Sequence, residues 1–215
     1  MSPPTVKDRV TKMARDVLGP EMKLQGFRRT GRTFWRNGSE VCHVATLEMS
    51  RWGSRDESSF SVQLGVFWHR VEALLENASV GKMPPPSHRC TFRIDLGRTI
   101  SMPPKPSWKV THESDFAALG CEVLQDLRNF GLPWFEYRSD LQRSLEWKRY
   151  AVPEGNDRYS IQELVLPRAK VVFEVMLGKE REAIEDLKRF AANGYPEDAI
   201  QLAERLGLKN AGILL

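Results

Sequence analysis

Cysteine is scarce in this chain: there are three, Cys42, Cys90 and Cys121, far apart. An odd number at wide spacing is no disulfide framework, and no pair has the short spacing of a zinc knuckle. They read as reduced thiols that behave as small buried hydrophobes in a cytoplasmic protein. Histidine is also sparse. His43 falls in an apolar register beside Cys42, His88 lies two residues from Cys90, and His69 and His112 are isolated. A zinc site would need four of these groups to converge from distant loops, so neither a metal nor a cofactor is expected. No run approaches the roughly 20 apolar residues of a membrane span. The opening "MSPPTVKDRV" carries charge early and has no apolar centre, so it is not a signal peptide. Nor is there a strong excess of one charge. With 32 basic and 28 acidic residues the net charge is +4, short of the dense basic stripe that makes nucleic acid the first reading. "LGRT" and "RNGSE" lack the spacing and the lysine of a phosphate loop.

What is present describes a folded globular protein. The 215 residues are 41% hydrophobic, enough for one core, or one core and a small appended unit. Val6, Val10, Met13, Val17 and Leu18 recur at helical spacing after a Thr5 cap. Gly19-Pro20 is expected to end or kink that helix, with Gly26 closing the segment. Gly31 and Asn37-Gly38 are turn signals between short strands near Phe27–Thr30, Thr33–Arg36 and Val41–Met49. Phe60, Val62, Leu64, Val66 and Trp68 alternate with smaller or polar neighbours, which gives a strand with one buried face. "CTFRIDLG" repeats the pattern and groups Cys90, Phe92, Ile94 and Leu96 on one side. A short helix is expected around Val71–Glu76, followed by proline loops at Pro84–Pro86 and in "SMPPKPSWKV".

Phe116, Leu119, Val123, Leu124, Leu127 and Phe130 form an apolar helical stripe, with Gly131 placed as a C-terminal glycine. A bend at Pro133 and a short helix capped by Ser139 or Asp140 follow. Ala151–Arg158 reads as a linker. Three short helical patterns then follow, separated by Gly178 and Gly194 and ended by Gly207. They suggest stacked helical hairpins. The expected organisation is α+β: residues 1–150 form an antiparallel sheet of four to six strands packed against N-terminal and central helices. Residues 159–215 form a small all-helical C-terminal appendage.

The order of these pieces resembles a known family. An amphipathic first helix leads into "GFRRTGRTFWR", then "LEMSRW", a polar gap, "FSVQLGVF", the tryptophan of "SWKV" and a helix into "LPWFE". This is similar to the bacterial domain-of-unknown-function 4304 family over roughly residues 5–150. Ser50-Arg51-Trp52 and the Phe60–Val66 strand are its most specific pieces. The resemblance implies the fold class and a bacterial cytoplasmic setting, and it supplies no substrate and no catalytic residue.

Three places could carry function. Arg51 and Trp52 sit in the polar insert between the two long strands, and these residue types dominate binding hot spots. Alternatively, Trp52 folds back to cap the core, with Arg51 stacked on it or paired with Asp56 or Glu57. The polar sheet face is the second place, where Glu48, Gln63, Arg93 and Asp95 stand together with Thr46 and Ser61. It is either a solvated face with cross-strand ion pairs or a docking surface. A weaker alternative makes Glu48 and Asp95 a catalytic carboxylate pair, or uses His43. The third is the basic, aromatic hairpin of Arg28, Arg29, Arg32, Trp35 and Arg36. It would suit a single strand of nucleic acid, or be an ordinary charged edge strand. The favoured reading is a non-catalytic protein-binding or accessory module, one concrete form being a bacterial immunity protein. The partner would be another protein, with no membrane involved and nucleic acid a lesser alternative. The enzyme reading remains as a competitor.

Overall fold

The computed structural model describes residues 3–76, 84–96, 107–145, 164–165 and 167–208. The expected linker at 151–158 and the loop residues 101–106, "SMPPKP", lie outside the described residues. Helix α1 (Val6–Met13) begins at Thr5, whose Oγ accepts from the Asp8 backbone N–H while Asp8 accepts in return. This is a capping box, and it satisfies two otherwise orphaned donors. The helix does not stop at Gly19-Pro20. It passes through a π-turn, Ala14–Leu18, into α2 (Gly19–Leu24), with Pro20 in the first turn of the new segment. Proline lacks an N–H and collides with the carbonyl four residues back. The wider π-turn accommodates both defects.

The same device recurs later. Helix α4 (Phe116–Asp126), capped by the Asp115 carboxylate, runs through a π-turn at Leu127–Gly131 into α5 (Leu132–Arg138), where Pro133 occupies the first turn. Gly131 therefore terminates nothing. It is helical, and an added Cβ would meet Leu127 Cδ2 at 3.0 Å and Leu64 Cδ1 at 3.3 Å, so its smallness serves close packing on the sheet. Ser139 lies at the C-terminal end of α5, and Asp140 instead accepts from Arg143 N in the following 3-10 turn.

The strands are β1 (Arg28–Thr30), β2 (Thr33–Asn37), β3 (Val41–Met49), β4 (Glu57–Trp68), β5 (Phe92–Asp95), β6 (Trp108–Thr111) and a two-residue β7 (Leu164–Val165). They form one antiparallel sheet in the order β1-β2-β3-β4-β5-β7, with β6 on the free half of the β4 edge. The class is α+β, and the described strands are six full ones plus the β7 fragment. Leu64 faces Ile94 and Val66 faces Phe92, while Gln63 faces Asp95. The alternation thus sends Phe60, Val62, Leu64, Phe92, Ile94, Trp108 and Val110 to one side. There they bury with Val6, Val10, Met13, Val123, Leu127 and Phe135 of the helices. Phe60 stacks on Trp108 with centroids 5.3 Å apart. Each such buried side chain contributes on the order of 1.5–3 kcal/mol of transfer free energy.

Helix α3 (His69–Glu76) follows β4, and α6 (Pro167–Met176), α7 (Glu180–Ala192) and α8 (Pro196–Arg205) end the described chain. Gly178 and Gly194 take φ of 72° and 98° in the turns between them, a conformation other residues resist. These helices share the main core. Phe173 stacks on Phe92 and meets Trp68 edge-on. Arg205 donates to the Leu75 carbonyl at 2.8 Å, satisfying an end of α3.

Cys90 does not join Phe92 and Ile94. It precedes β5, just after a 3-10 turn, and packs on the opposite face with Cys42, Val44 and Phe67, with Trp35 against them. Gly65 makes room for it, since a Cβ there would lie 2.4 Å from Cys90 Sγ. Thr91 is also fully buried, accepting from Trp68 N and donating to Glu72.

Candidate functional site

The β3–β4 hairpin tip is built by short-range hydrogen bonding. Ser50 N donates to Ser59 O at 2.8 Å and Ser54 N to Glu57 O at 2.7 Å. Ser54 Oγ accepts from Asp56 N and Glu57 N at 3.2 and 2.9 Å, the self-capping turn chemistry of serine. Gly53 passes so close to Ser58 that a Cβ would fall 2.1 Å from its Oγ. The base of the tip is tied to its neighbours. Arg55 donates to Pro3 O at 2.8 Å, its carbonyl accepts from Val6 N at 3.1 Å, and Asp56 meets His112 Nε2 at 2.8 Å.

Trp52 stands on this anchored tip with 97% of its surface exposed. It does not fold back onto the core. Arg51 beside it is exposed as well, and Asp56, one of its expected partners, pairs instead with His112. A tryptophan left in water is a large apolar surface with no internal use.

The outer sheet face holds the other four candidates. Glu48 pairs in register with Ser61, Gln63 with Asp95, and Gly65 with Arg93. Glu48 is exposed, and Gln63, Arg93 and Asp95 are half-buried. Ser87 donates to Gln63 Oε1 at 2.8 Å, so the turn before β5 reaches over this face. Glu48 and Asp95 lie on strands separated by β4 and are offset by two residues. Their backbones are therefore about 12 Å apart, from two strand spacings and two residue rises. At that separation the two carboxyls cannot share a proton directly.

The N-terminal arginines are spread over both faces and engaged with their own chain. Arg28 covers the Trp35 ring at 5.5 Å, and Arg29 donates to Gly31 O. Arg32 Nε donates to Leu47 O at 3.1 Å, and burial pulls its pKa down. Arg36 turns to the helix side, opposite Trp35, as strand alternation demands.

There Arg36 meets a constellation that no local pattern announces. Its Nε and Nη2 lie 3.2 and 3.0 Å from His43 Nδ1, and it also reaches Glu136. A guanidinium only donates, so Nδ1 accepts and the imidazole proton is assigned to Nε2. Nε2 then donates to Ser139 Oγ at 2.6 Å, whose own hydrogen goes to Phe135 O at 2.7 Å. A serine nucleophile needs the reverse, with histidine taking the serine proton. His43 also stacks on Phe135, and burial, with Arg36 beside it, lowers its pKa to about 4, against a smaller upward pull from Glu136. This network locks α5 to β3 rather than activating a hydroxyl.

The outer face also carries an apolar cluster, of Cys42, Val44, Phe67 and Cys90. A signal for it exists: Cys42-His43-Val44-Ala45 and Gly65-Val66-Phe67-Trp68 lack polar alternation, as strands covered on both sides do. Among the described residues, no group of three or more His, Cys, Asp or Glu is arranged to hold a metal ion. No described helix is long and apolar enough to cross a membrane.

No curated protein and no solved structure matches the chain. One family does, described as "Domain of unknown function (DUF4304)", over residues 18–137. The matched span runs from the end of the first π-turn to near the end of α5, and takes in both long strands and the Arg51–Trp52 tip. The chain belongs to the DUF4304 family.

Proposed function

We propose that the chain is a non-catalytic protein-binding module whose principal contact is the Arg51–Trp52 tip, with the outer sheet face beside it. The observation that carries this is Trp52, 97% exposed on a tip fixed at its base to residue 3, residue 6 and His112. A rigid base lowers the ordering cost of binding, and a tryptophan supplies a large contact area with few rotatable bonds. The non-catalytic part of this reading is supported by the reversed polarity of the Ser139–His43 pair.

The test is affinity capture from lysate of the source organism with the wild type, Trp52→Ala and Tyr195→Ala. Tyr195 is the control, an exposed aromatic on the helical tail. The reading expects a protein retained by the wild type and Tyr195→Ala and lost with Trp52→Ala. Equal retention by all three would remove the tip from the account. A turnover that Ser139→Ala abolishes would reinstate the enzyme reading.

A further inference from the structure

We draw no further inference here: the strongest candidate, the outer-face cluster of Trp35, Cys42, Val44, Phe67 and Cys90, carries nothing because its members other than Trp35 are already buried and nothing in the structure shows which ligand would reach Trp35 Nε1 and His69 Nδ1, which have no hydrogen-bond partner among the described residues.

Discussion

Replacing Trp52 with alanine separates folding from binding. The side chain is 97% exposed, so its loss removes almost no intramolecular packing. The expected change in folding stability is within about 0.5 kcal/mol. Binding is another matter. A tryptophan buries roughly 150–250 Å² when it docks. At about 25 cal/mol per Å² that is about 4–6 kcal/mol of gross transfer energy. Part is offset by immobilising the ring and desolvating the indole N–H, so the net effect falls in the range of about 2–4 kcal/mol typical of hot spots. Affinity for the captured partner should drop by about 30- to 1,000-fold. Urea denaturation checks the first figure, and calorimetric titration against the purified partner checks the second. A variant that unfolds more easily by 2 kcal/mol, with unchanged affinity, would refute the reasoning. It would mean that the indole packs at home.

Other outcomes follow from individual contacts. His43 is held near pKa 4 in the fold and titrates near 6.5 when unfolded, so the unfolded chain takes up the extra proton. Stability should therefore fall by up to about 3 kcal/mol as pH drops from 6.5 towards 4. Denaturation at several pH values should show this slope, and His43→Gln should flatten it. Cys42 is pushed up to about 12 and Cys90 also upward, both by burial, whereas Cys121 is exposed. An aromatic disulfide reagent should titrate one thiol in the native protein and three in denaturant; three fast native thiols would contradict the packing. Gly65→Ala forces a Cβ against Cys90 and should cost about 1–3 kcal/mol, with partial recovery in the Gly65→Ala, Cys90→Gly double variant. Glu174 is buried in the α6–α7 hairpin beside Lys170 and Asp186, and its pKa is raised, chiefly by burial. Folding therefore disfavours its charged form relative to the unfolded chain. The helical tail should lose stability as pH rises through the carboxylate range, measurable by hydrogen exchange in α6 and α7.

Much of the architecture is legible in the residues because the signals are local. Phe60–Trp68 alternates with period two, and the register with Phe92 and Ile94 follows from burying both apolar sets on one side. Gly178, Gly194 and Gly207 mark the tail turns because each takes a positive φ. The misreadings have definite causes. Pro20 and Pro133 look like helix breaks, but a π-turn before each carries the helix through. Cys90 continues the alternation of "CTFRIDLG" on paper, yet the strand begins only at Phe92, so Cys90 is free to cross to the other face. Trp52 has no periodic context, so the sequence alone favours its folding back to cap the core, and the structure places it outside. The His43–Ser139 contact joins residues 96 apart and leaves no local trace. His43 in an apolar register was its one visible sign.

Photo-cross-linking at the tip tests the binding account most directly. A benzophenone amino acid at position 52, expressed in the source organism and irradiated, should yield one dominant protein adduct. The same group at position 195 should not yield it. No adduct from position 52, or the same adducts from both positions, would contradict the assignment of the hairpin tip as the contact site.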